Sequence, residues 1–204
     1  MRIITISRQF GSMGRVFGKK LAEELGFHYY DKQIISEVSK CADLDENYVA
    51  DTLEKGIDVY PYTCGVTFSL PRYNKQMMDV VIAQCEILKR LAQKGDCVIV
   101  GRSADAILSE YEPFNIFVYA DMATRVARCK EREKSNETLT DRETERLIKE
   151  IDKGRARSHT LFSSSKWGEK EGYHLMLNTT DCDVEVLAKS IAKYVDAYFA
   201  SKNR

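Results

Sequence analysis

The residue types that could do chemistry in this 204-residue chain gather first in Gln9-Phe10-Gly11-Ser12-Met13-Gly14-Arg15-Val16. The segment lies between a β-branched run, Arg2 to Ser7, and an amphipathic stretch closed by Gly26. A strand, a glycine-broken loop and a helix in that order make an anion site, because unpaired N–H groups and the helix dipole converge on the loop. Gly11 and Gly14 let the backbone come close to phosphate, Ser12 offers a hydroxyl and Arg15 a cation. Residues Gly11, Ser12, Met13, Gly14, Arg15 and Val16 are therefore the expected phosphate cradle. Against the GxxxxGK[ST] pattern, Gly14 takes the second glycine, Gln9 the first, Arg15 the lysine and Val16 the magnesium-binding hydroxyl. The competing reading is a glycine-rich turn with no ligand.

Further along, Arg102 closes the apolar run CVIVG at its carboxyl end, where α/β sheets bind ligands. It is expected to grip phosphate bidentately, a strand-end salt bridge being the alternative. Asp105 follows at three residues, either orienting an acceptor and holding Mg²⁺ or serving as a first-turn helix acid. Arg125, Arg128 and Arg132 share one helix face by their spacing, as do Asp152 and Arg155. Asp31 ends a short strand, FHYY, and could orient an acceptor or cap the next helix. Tyr60, Tyr62, Phe68 and Tyr73 could line a base pocket or simply pack.

These residues need a frame, and the hydrophobic pattern supplies one. Five strand-like runs (2–7, 27–30, 97–101, 115–120 and 173–180) alternate with helical stretches near 16–26, 32–40, 45–55, 73–94, 103–110, 121–134, 138–157 and 183–200. That order implies βαβ units, hence an α/β fold with a mainly parallel five-stranded sheet and helices on both faces. One domain over 1–204 is expected, with an acceptor-side cover at about 32–75 and a charge-dense lid at about 128–157.

Lys plus Arg is 31 and Asp plus Glu is 31, which argues against a nucleic-acid polymer or an anionic membrane as partner. No apolar run approaches membrane-spanning length, and the N-terminus does not read as an export signal. The six cysteines form no CxxC pair and fit reduced thiols of a cytoplasmic protein.

The segment ITISRQFGSMGRVFGKKLAEELGFHYYD resembles the N-terminus of the cytidylate-kinase-like group of P-loop nucleotide kinases. VIVGRSADAIL, VYADMATRVARCKERE, IDKGRAR and YHLMLNTTDCDVEVLAKSI follow in the order that group shows, across nearly the whole chain. The resemblance implies a P-loop NTPase-type three-layer fold with a lid. It further implies transfer of the γ-phosphoryl group of ATP, with Mg²⁺, to a nucleoside monophosphate, by preference a pyrimidine one. On that reading Arg15, Arg102, Arg128, Asp152 and Arg155 are catalytic, and Asp31, Arg102 and Asp105 hold the acceptor. Ser12 and Asp105 are the candidate Mg²⁺ ligands. The family's acceptor-gripping arginine is replaced by Glu37, and its GRD segment reads Gly101-Arg102-Ser103. A kinase for another small-molecule hydroxyl and a non-catalytic nucleotide-binding module are the rival readings. The partner expected is a small-molecule nucleotide, and self-association into a homo-oligomer stays open.

Overall fold

Strand β1 (Ile3–Arg8) is buried along its whole length, because its alternate residues serve two separate cores. Ile4 and Ile6 pack with Phe17 and Leu21 of helix α1 (Gly14–Leu25) and with Val195 and Phe199 of α8 (Val184–Lys202). Ile3 joins the opposite layer, where Ile34 and Val38 of α2 (Gln33–Ala42) meet Ile87 and Leu88 of α4 (Lys75–Ala92). The computed structural model describes residues 1–55, 75–132 and 139–202.

The five strands are β1, β2 (His28–Tyr30), β3 (Cys97–Val100), β4 (Phe114–Tyr119) and β5 (Leu175–Asn178). They lie in the order β2-β3-β1-β4-β5, every pair parallel. Ile6 stands opposite Val100 on one side and Ile116 on the other, so β1 is central and its carboxyl end opens at Arg8. Parallel sheets place their ligands at that end.

The remaining helices frame the opening. Helix α3 (Glu46–Lys55) is capped by Asp45, whose Oδ1 accepts from the N–H groups of Asn47 (2.9 Å) and Tyr48 (3.1 Å). Short α5 (Ala104–Ile107) follows β3, and α6 (Met122–Arg132) follows β4. Helix α7 (Asp141–Thr160) packs against both α3 and α6. The stretch expected as an acceptor-side cover thus includes α2 and α3, folded onto α4. Residues 56–74, with Tyr60, Tyr62, Phe68 and Tyr73, lie outside the described residues, as do 133–138 of the expected lid.

Element boundaries shift where capping chemistry outweighs periodicity. The helix expected over 138–157 starts at Asp141, after Thr140, because Thr140 and Glu143 form a reciprocal capping box. It continues to Thr160, which brings His159 into the site. Among the described residues no helix is long and apolar enough to cross a membrane. Cys41, Cys85, Cys97, Cys129 and Cys182 are free thiols, and burial pushes the Cys97 thiol pKa up to about 12. We expect Thr140→Ala to lower stability by about 1 kcal/mol in urea denaturation, with Thr140→Ser close to wild type.

Candidate functional site

The loop between β1 and α1 takes its shape from two positive-φ residues, Gly11 (+79°) and Met13 (+59°). Met13 turns the chain so that α1 begins at Gly14, and the N–H groups of its first turn have no intrahelical partner. The side of the loop away from the opening is held by hydrogen bonds. The Ser12 hydroxyl is buried and faces the Gln9 carbonyl oxygen (2.9 Å) and the Val118 carbonyl oxygen (3.1 Å), while the Thr179 hydroxyl donates to the Ser12 carbonyl (2.8 Å). Arg128 is spent on that same Thr179, donating to its carbonyl (2.6 Å) and hydroxyl (3.2 Å). Ser12 and Arg128 therefore brace the loop from behind, where the family resemblance implied a candidate Mg²⁺ ligand and a catalytic arginine. On the same face of α6 it is Arg132 that lines the cleft over the loop.

A second brace comes from the pair Arg125 and Asp152. Arg125 is 3% exposed, donates from Nε to the Phe10 carbonyl (2.6 Å), and pairs through Nη2 with Asp152. Asp152 Oδ1 accepts the Phe10 N–H at 2.7 Å, so both backbone polar groups of Phe10 are taken. A Cβ on Gly11 would sit 3.0 Å from the Arg125 carbonyl oxygen, which is why glycine is needed there. Asp152 thus holds the loop in place through its backbone.

In front of the loop the charge is positive. Arg8, Arg15, Arg102 and Arg155 arrive from β1, α1, the turn after β3, and α7, close enough to act electrostatically on one another. Arg155 Nη1 donates to the Arg8 carbonyl (3.0 Å), and its guanidinium stands 5.5 Å from the Phe10 ring centre. Arg15 turns to buried Asp31, with Nε 2.5 Å from Oδ2 and Nη2 3.4 Å from Oδ1. Burial first, then the charge on Asp31, raises the Tyr29 hydroxyl pKa to about 12 beside this pair.

Two adjoining cavities share this cationic wall. One lies over the loop, against Gln9, Gly11, Gly14, Arg15 and Arg132. The other runs between α3, α4 and α7, against Leu53, Gln84, Arg102, Phe162 and Trp167. Arg8 and Arg155 line both. Gln84 is 3% exposed; its Nε2 donates to the Arg102 carbonyl (3.1 Å), and its buried Oε1 has no hydrogen-bond partner among the described residues.

Asp105 is buried behind this second cavity, 3.0 Å from His159 Nε2. Tyr173 adjoins them; burial first, then Asp105, raises its hydroxyl pKa. Glu37 faces solvent, paired with Arg90 at 3.0 Å. Among the described residues no three acidic, histidine or cysteine side chains converge as a metal site. Asp31, Asp105 and Asp152 are engaged by Arg15, His159 and Arg125, and Val16 has no hydroxyl. This donor set does not fit a protein-ligated Mg²⁺, which ordinarily needs one or two carboxylates.

Arg8, Gln84 and His159 are the site residues that sequence spacing passed over. Arg8 carries the same signal that singled out Arg102, a charge at the carboxyl end of an apolar strand. Gln84 and His159 are single polar residues inside helices and carry no comparable signal.

A model of the cytidylate kinase-like family matches residues 3–181. Among solved structures, an uncharacterised protein from Eubacterium ventriosum is similar at 28% identity and a TM-score of 0.69, over 96% of this chain and 99% of that one. A shikimate kinase from Acinetobacter baumannii, solved in complex with shikimate, follows at 14% identity and a TM-score of 0.57, over 97% and 94% of the two chains. A shikimate kinase from Bacteroides thetaiotaomicron gives 13% and 0.57, over 96% and 98%. The two shikimate kinases share the fold, which is that of P-loop kinases. No curated protein matches the chain.

Removing Arg125 leaves Asp152 without its cation and the Phe10 carbonyl without its donor. We expect Arg125→Met to cost about 3 kcal/mol in urea denaturation and to weaken ATP binding in a calorimetric titration.

Proposed function

We propose that this chain, which belongs to the cytidylate kinase-like family, moves the terminal phosphoryl group of ATP onto a pyrimidine nucleoside monophosphate. That it is a nucleotide-kinase-like phosphotransferase follows from the family and the fold. The acceptor is inferred from how the carboxylates of the cleft are used. An alcohol acceptor has to lose its proton, which calls for a general base within reach. A nucleoside monophosphate is already largely ionised near neutral pH, its second pKa being about 6. Among the described residues, Asp31, Asp105 and Asp152 are each committed to Arg15, His159 and Arg125. What carries the proposal is that arginines, and no carboxylate among the described residues, line the two cavities, which suits an acceptor that is itself a phosphate.

The backbone of residues 11–16 and Arg155 receive the donor phosphates, with the dipole of α1 behind them. Arg102 receives the acceptor phosphate, and Asp31 fixes the angle of Arg15 at the loop cavity. The unpaired Oε1 of Gln84 accepts an N–H from the acceptor's ring, which the exocyclic amine of cytosine supplies. Phe162 and Trp167 provide the apolar wall beside it. Asp105 and His159 tie the turn that carries Arg102 to the helix that carries Arg155, so both phosphate grips keep one spacing. Use of ATP and the free thiols of the described cysteines support a cytoplasmic place of action.

A coupled assay with ATP and a panel of CMP, dCMP, UMP, AMP, GMP and free nucleosides tests the reading. Turnover is expected with a pyrimidine monophosphate and not with its nucleoside; preference for a nucleoside or a sugar would overturn it. Gln84→Leu is expected to raise the KM for that acceptor about tenfold, the cost of losing one buried hydrogen bond. The KM for ATP should stay unchanged.

A further inference from the structure

Arg8 is only 8% exposed, and no carboxylate pairs with its guanidinium among the described residues. Arginine is seldom buried without a counter-ion, since removing its charge from water is costly. Its environment adds to that cost. Arg155, Arg102 and Arg15 all repel it, and Asp31, the one acid whose field favours it, is held by Arg15. Burial first, then Arg155 and Arg102, depress the Arg8 pKa well below that of an ordinary arginine.

The chain nonetheless makes room for it. A Cβ on Gly101, whose φ is +76°, would lie 1.6 Å from Arg8 Nη1. A Cβ on Gly14 would lie 2.6 Å from the Arg8 Cβ. Two loops from different strands thus leave out a side chain where Arg8 passes. Arg8 comes out on the wall common to the loop cavity and the Gln84 cavity. Arg15, which stands at the lysine position of the phosphate-loop pattern, is 45% exposed at its side chain and is fastened to Asp31.

We propose that Arg8 is the catalytic cation of this site, gripping the phosphoryl group as it passes between the two cavities. The assignment rests on the phosphotransfer reading above. In that step the bond from the γ-phosphorus to the β–γ bridging oxygen breaks, and its electron pair leaves on ADP. An oxygen of the acceptor phosphate forms the new P–O bond, no proton has to move from a dianionic acceptor, and Arg8 stays protonated throughout. An arriving anion supplies the counter-charge that no carboxylate among the described residues gives Arg8, so repulsion among the arginines turns into attraction for the transferring group.

The test compares Arg8→Met, Arg8→Lys and Arg15→Met in thermal melts with inorganic tripolyphosphate or ATP, and in the coupled assay. Arg8→Met should melt at or above the wild-type temperature without ligand and lose the rise that tripolyphosphate gives the wild type. Its kcat should fall about 100-fold or more, the scale of losing one transition-state donor, with acceptor KM changed less than about threefold. Arg8→Lys, which keeps a charge, should recover about a tenth of the lost rate, and Arg15→Met should keep at least about a tenth of wild-type kcat. A full tripolyphosphate rise in Arg8→Met, or a kcat within threefold of wild type, would overturn the assignment. If the wild type phosphorylates nothing in the panel, the phosphotransfer reading fails separately. The tripolyphosphate melts still decide whether Arg8 holds the anion.

Discussion

Repulsion among like charges is what this structure is organised to withstand. The chain carries as many acidic as basic residues, yet it draws Arg8, Arg15, Arg102 and Arg155 to the carboxyl ends of β1 and β3. Asp31 pairs with Arg15, and Asp152 stands 3.9 Å from Arg155. Such an arrangement persists only if the elements bearing the charges are fixed by something stronger than their mutual repulsion. The double-sided core does this for β1 and β3, whose apolar residues are buried on both faces. An interior packed on both sides tolerates little relaxation, so the arginines cannot drift apart.

The finer positioning falls to polar groups that never face the cleft. Arg125 and Asp152 take both polar groups of Phe10, Ser12 and Thr179 tie the loop to β4 and β5, and Arg128 secures Thr179. Asp105 and His159 join the turn after β3 to the far end of α7. The loop backbone is thus fixed by the fold itself, the pre-organisation that the proposed phosphoryl transfer would draw on.

Much of this was legible in the sequence wherever a single element carries the signal. The strand runs, the glycine loop and the expectation of a parallel sheet follow from local pattern, as does the siting of Arg102 at a strand end. Pairing was not legible, because it depends on which elements meet in space. Asp152 and Arg155 share a helix face as spacing requires and stand 3.9 Å apart, but the shorter contacts of Asp152 go to Arg125 and Phe10. Arg15 matches the lysine of the phosphate-loop pattern, yet Asp31, sixteen residues on, fastens it. The strand-end position of Arg8 is legible in the sequence, but its burial is not, because the glycine that makes room for it, Gly101, belongs to another strand's loop.

The most direct measurement is calorimetric binding of a bisubstrate analogue in which adenosine and cytidine are joined 5′ to 5′ by five phosphates. If one arginine wall serves both cavities, the analogue should bind at least about 100-fold more tightly than ATP, since its second half engages at high effective concentration. Affinity no greater than that of ATP would contradict the account, because it would mean that the two cavities do not share one line of phosphates.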